Sequence, residues 1–204
     1  MAFTLKLSKH PSIKQNARDQ ISRLRSCHVL PTAITLCFMD VDLLRSVSIL
    51  RQLSHEEMEA FCALLVSTEV KAKERIIEEG TPVGNFSIIC EGIVHIRRLA
   101  NKREMLLGRL GPGAFFGEIN LFDPGMATAS IYAMKPTRLA MVDYDTFHRF
   151  MTANPATGYK IVSSMMTEMA RRLRQTSARL VNTAYWTNAE GAVPRVPAVQ
   201  ADPQ

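Results

Sequence analysis

Between residues 66 and 142, short runs of β-branched and aromatic side chains end again and again at Gly, Pro or Asn. Val70, Ala72 and Ile76-Ile77 stop at Gly80, and Phe86, Ile88 and Ile89 stop at Gly92. Val94 and Ile96 run on to Asn101-Lys102, while Met105, Leu107 and Leu110 close at Gly111-Pro112-Gly113. Residues 129–134 and 139–142 supply two more such runs. Short strands at this spacing, separated by residues that favour turns, predict an antiparallel barrel or jelly roll. The fold class expected is mainly β with flanking helices.

Helical periods stand on either side of that block. Ser54, with Glu57 three residues later, forms a capping box. It opens a helix whose Met58, Phe61, Leu64 and Leu65 share one face. Tyr144-Asp145-Thr146-Phe147 begins a second helix that ends near Asn154-Pro155, because proline disfavours helical geometry before it and suits the first turn after it. A long helix is then expected to about Asn182. Its Val162, Met166, Met169, Leu173, Thr176 and Leu180 alternate four and three apart, which is the a/d seam of a coiled coil. Such a seam can pack on the barrel or pair with a second copy; Arg171, Arg172, Arg174 and Arg179 leave the other faces polar, which favours a parallel homodimer through this helix.

The expected organisation is a basic N-terminal arm over 1–41, a β-barrel domain over 42–154, the long helix over 155–182 and a disordered tail over 183–204. At 204 residues and 47% hydrophobic content, one domain with extensions is the simplest reading. Lys6, Lys9, Lys14, Arg18, Arg23 and Arg25 against Asp19 concentrate most of the net charge of +6 before residue 29, where a short helix over 12–25 is expected. Such an arm can attract nucleic acid, anionic lipid or an acidic protein, or stay solvated. Cys27, Cys37, Cys62 and Cys90 show neither a C-x-x-C pair nor metal-ligand spacing, which points to free thiols in a reducing compartment. The apolar stretch 29–39 lacks a cleavage site, and no run reaches the ~20 apolar residues of a membrane helix. The expected location is cytoplasmic. His10, His28, His55, His95 and His148 are scattered, and no nucleophile–base set, phosphate loop or zinc pattern emerges, so no enzyme, no metal and no required cofactor are expected.

The segment Phe116-Gly117-Glu118-Ile119-Asn120-Leu121-Phe122, followed by Gly125-Met126-Ala127-Thr128-Ala129-Ser130, resembles the phosphate-binding cassette of the cyclic-nucleotide-binding family. The block Ile76-Ile77-Glu78-Glu79-Gly80 with Gly84, Phe86, Ile88, Ile89 and Gly92 is similar to that family's glycine turns and paired strands. Met169-Ala170-Arg171-Arg172-Leu173, then Thr176-Ser177, is similar to the central dimer helix of the bacterial cAMP receptor proteins. The resemblance covers about 42–182. It implies that Gly117 and Glu118 open a short helix whose free N–H groups face an anion. Glu118 cannot itself hold a phosphate, because two anions repel; the resemblance gives it the ribose 2′-hydroxyl. Thr128 falls in the same binding pattern, and Thr176 and Ser177 are nominated as contacts to the base. A polar seam residue that fixes register is the other reading of Thr176.

Two departures shape the functional expectation. The family's phosphate-binding arginine is replaced by Ala127. Losing a charge-assisted, often bidentate contact worth ~1.5–3 kcal/mol weakens cAMP by at least ~10- to 100-fold. Arg97 or Arg98 could substitute from a neighbouring strand. The polar, Pro-containing stretch 183–204 carries no helix-turn-helix, so sequence-specific DNA binding is not expected. The expectation is a non-catalytic regulatory module that senses a cyclic nucleotide, weakly or with altered specificity, and signals to a protein partner. Candidate ligands are cAMP, cGMP and cyclic di-GMP. The competing readings are a dimeric scaffold without ligand and, behind it, a DNA-binding regulator.

Overall fold

The computed structural model of the chain describes residues 33–35, 44–100 and 103–189. The expected helix over 12–25, Cys27, Cys37 and the turn at Asn101-Lys102 lie outside them. Two compact units are present, divided between Val162 and Ser163.

Among the described residues of the first unit the alternating runs become nine strands in two antiparallel sheets. One sheet has the order β1 (Ala33–Thr35), β2 (Val66–Val70), β9 (Thr137–Asp143), β4 (Asn85–Glu91) and β7 (Phe115–Phe116). The other has the order β3 (Arg75–Ile77), β8 (Ser130–Ala133), β5 (Val94–Ala100) and β6 (Arg103–Leu110). Side chains alternate across a strand, so a strand of this jelly roll can offer one face to the interior, although β6 is exposed on both faces over residues 103–107. Val70, Ile76, Ile89, Val94, Phe116, Ile131, Ala133, Leu139 and Met141 fill that interior as one cluster. β4 is buried on both faces, because helices cover the other side of its sheet.

The capping box at Ser54 holds as expected. Ser54 Oγ accepts from the Glu57 amide at 3.2 Å and Glu57 Oε2 accepts from the Ser54 amide at 2.7 Å. It opens α1 (His55–Cys62), a short α2 follows β7 (Glu118–Phe122), and Asp143 caps α3 (Tyr144–Ala153) by accepting from the Thr146 amide. Phe61 of α1, Phe86 of β4 and Phe147 of α3 are fully buried, with ring centroids 5.6 Å apart for Phe86–Phe147 and 6.1 Å for Phe61–Phe147. This aromatic layer fixes the helices to the back of the first sheet.

Glu57 also reaches 103 residues along the chain. Its carboxylate accepts from Lys160 Nζ at 2.8 Å and from Thr157 Oγ1 at 3.0 Å, so the first turns of α4 (Pro155–Ala189) are tied to the start of α1. The Lys160 contact, followed by the Ser54 amide, pulls the Glu57 carboxyl down from 4.5 to about 2. A depressed carboxyl adds stability above the unfolded-state value and loses it as pH falls through the folded value. The melting-temperature gap between the unmodified protein and Glu57→Gln is therefore expected to be full near neutral pH and to close between about 4.5 and about 2. Thermal melts across that range check it, and a gap that is independent of pH would contradict it.

Two boundaries differ from expectation. Ala33–Thr35, assigned to the N-terminal arm, pairs with 67–69 as the edge strand β1. The long helix continues to Ala189 rather than stopping near Asn182. Nothing in 183–189 breaks a helix, and the first Gly or Pro after it is Gly191. The remainder of the expected tail lies outside the described residues.

Candidate functional site

β7 delivers the chain to the cassette through two buried phenylalanines, and Gly117 then turns it with φ +85°. A Cβ at Gly117 would run into the carbonyl oxygen of Asn85, so both conformation and space demand glycine there. α2 begins at the next residue, and its three inward side chains, Glu118, Asn120 and Leu121, are buried while Ile119 and Phe122 are exposed. A carboxylate in the first turn is favoured by the helix dipole.

The loop after α2 is folded back on itself and pinned at three places. Asn120 Nδ2 donates to Gly125 O at 2.8 Å and more distantly to Met126 O. The Ala127 amide donates to Thr81 O at 2.8 Å, and the Gly80 amide donates to Ala127 O at 2.9 Å. α3 grips both ends of α2: Tyr144 Oη donates to Gly117 O at 2.7 Å, and His148 Nε2 lies 3.2 Å from Leu121 O. In the sequence Asn120 is only a member of the cassette, Tyr144 a helix start and His148 one of the scattered histidines, and nothing there marks them as supports of α2. Tyr144 and His148 sit four apart on one helix face, a spacing that signals a shared neighbour but not which one.

Gly117, Glu118, Ala127 and Thr128 all belong to the barrel unit, Ala127 buried and Thr128 exposed. Thr176 and Ser177 belong to the second unit, where both are exposed and Thr176 Oγ1 donates to Arg172 O one turn back. Of the seam residues, Met166, Leu173 and Leu180 are exposed, whereas Val162 and Met169 are half-buried. Both candidate substitute cations carry acidic partners. Arg97 pairs with Glu104 at 3.0 Å and lies over the Tyr132 ring, and Arg98 Nε lies 3.3 Å from Glu79 Oε1.

A cleft of about 470 Å³ opens elsewhere, among Glu69, Lys71, Glu74, Glu91, Thr137 and Arg138. The β4–β9 register sets Asn85 against Asp143 at the cassette end and Glu91 against Arg138 at the other, so that cleft is remote from the cassette. Cys62 and Cys90 are free thiols that burial pushes up to about 11, which leaves them unreactive near neutral pH. Among the described residues no cluster of His, Cys, Asp or Glu suits a metal ion, and no helix is long and apolar enough to cross a membrane.

Set beside known proteins, residues 67–154 match the sequence profile of the family described as cyclic nucleotide-binding domain. Over that match the chain is similar to a cyclic nucleotide-binding domain. That segment runs from β2 through α3 and contains the whole cassette. A CRP-like cAMP-activated global transcriptional regulator of Mycobacterium tuberculosis is 34% identical over 119 residues, which cover 58% of this chain and 51% of the relative. A cyclic nucleotide-binding domain from Methylobacillus flagellatus superposes with a TM-score of 0.64 at 22% identity, over 70% of this chain and 81% of that one. The Thermus thermophilus catabolite activator protein does so at 0.60 and 23% identity, over 68% and 63%. The fold is the jelly roll of these proteins. The chain spans about half the length of the curated relatives it matches.

Proposed function

We propose that the chain is a dimeric, non-catalytic regulatory module whose cassette senses a cyclic nucleotide with weakened or altered affinity. The observation that carries this reading is the cassette itself. Gly117, in the left-handed region, and Glu118 open α2, while a buried methyl group stands at Ala127, where the resemblance puts arginine. In this reading Glu118 accepts the ribose hydroxyl, Thr128 lies beside the cyclic phosphate, and Thr176 and Ser177 meet the base. Residues 42–154 do the sensing. The long helix joins two copies and passes the change to a protein partner, because a ligand shifts helix arrangements only as far as it prefers one of them. Sequence-specific reading of DNA is no part of this proposal.

Calorimetric titration of the purified protein with cAMP, cGMP and cyclic di-GMP tests it. A saturable heat for one of the three is expected, with affinity for cAMP at least about tenfold weaker than for a cassette that keeps its arginine. Silence toward all three would favour the scaffold without ligand. That second reading has one observation on its side: Arg97 and Arg98 are already engaged by carboxylates of the same chain.

A further inference from the structure

Resting on the cyclic-nucleotide reading above, we infer that Arg98 is the phosphate-binding cation of this site and that Glu79 holds it in check. Strand geometry separates Arg98 from its neighbour Arg97. β5 pairs with β8 in an unbroken register that sets Val94 against Ala133 and Ile96 against Ile131. Val94, Ala133 and Ile131 belong to the barrel interior, so the face of β5 that carries Val94 and Ile96 is the inner one. Alternation puts Arg98 on that face. Arg97 is on the outer face, consistent with its place over Tyr132, the partner of His95 in the same register.

The register also sets the distance to the cassette. Arg97 is paired with Ser130, the first residue of β8 and three from Ala127, so Arg98 follows at the cassette end of that ladder. The guanidinium that family resemblance expects on the cassette is thus supplied from the adjacent strand, on the inner face.

Glu79 occupies it. The Glu79 carboxylate takes Arg98 Nε at 3.3 Å through one oxygen and the Leu99 amide at 3.0 Å through the other. Its own backbone is fastened to the cassette: the Glu79 amide donates to Ser130 Oγ at 2.9 Å, and the next amide, Gly80, donates to Ala127 O. A cyclic phosphate therefore exchanges with a carboxylate for the same guanidinium, and the displaced carboxylate stays nearby as a like charge. The exchange nearly cancels, which gives a physical cause for weak cAMP binding in addition to the loss at Ala127. Arg98 is 60% exposed at its side chain against 29% for Glu79, so the arginine is the partner with room to turn.

Calorimetry with cAMP on the full chain tests the pair. Glu79→Gln keeps an oxygen acceptor for the Leu99 amide while removing the competing charge, and it is expected to bind cAMP about tenfold or more tightly than the unmodified protein. Adding Arg98→Ala is expected to abolish that gain, adding Arg98→Lys to keep part of it, and adding Arg97→Ala to leave it intact. Melting curves of each variant confirm that it is folded. If Glu79→Gln gains nothing while Ala127→Arg does, the cassette reading stands and the role given to Arg98 and Glu79 is overturned. The same holds if the gain survives Arg98→Ala. If neither Glu79→Gln nor Ala127→Arg binds cAMP, both the inference and the reading beneath it fail.

Discussion

Ala127→Arg is expected to strengthen cAMP binding by about ten- to a hundredfold, the worth of one charge-assisted hydrogen bond of ~1.5–3 kcal/mol. The substitution changes little in the loop. The Ala127 amide and carbonyl are committed to Thr81 and Gly80 by backbone bonds that any residue can make, so the register of 125–130 persists around the new side chain. Ala127 is buried, 6% exposed, and the added guanidinium is accommodated only if it leaves that apolar position for the ligand. Glu118→Ala in the same background is expected to remove most of the gain, because the ribose hydroxyl loses its acceptor. Calorimetric dissociation constants for the unmodified protein, the single variant and the double variant read both effects. Tight binding by the unmodified chain would mean that a cation already fills the site. No binding after the arginine is restored would mean that the pocket has been rebuilt.

The second large effect is expected at the long helix, where Leu173→Lys converts a dimer into a monomer. Tyr159, Met166, Leu173 and Leu180 follow one another every seven residues and are 76%, 59%, 68% and 66% exposed in the single chain. A column of large apolar side chains at heptad spacing suits the seam of the proposed coiled coil. Each leucine fully buried by pairing contributes ~1.5–3 kcal/mol. Lysine in the middle of that column forfeits the contribution and faces its own charge across the two-fold. Leu173 is a better place to cut than Met169, which is already half-buried before any partner arrives. Analytical ultracentrifugation at micromolar concentration decides the matter, with circular dichroism to verify that the barrel is intact. A monomeric unmodified protein would end the proposal.

Much of the barrel and part of the cassette were legible in the sequence because they are local. The capping box at Ser54 and Glu57, the strand runs ending at Gly80 and Gly92, the glycine at 117 and the four-three spacing of the long helix each depend on residues within a turn or two of one another. Short-range sterics and hydrogen bonding settle such features wherever the segment lies. Tertiary structure alone decided the features that join distant segments. It brought Lys160 to Glu57, and Tyr144 and His148 to the two ends of α2. It added Ala33–Thr35 to a sheet edge that no local signal marked, because an edge strand is defined by the neighbour that accepts it. It also distinguished two adjacent arginines that read alike in the sequence. Arg97 and Arg98 differ by one residue, and only the pairing of β5 with β8 tells which face of the strand each belongs to.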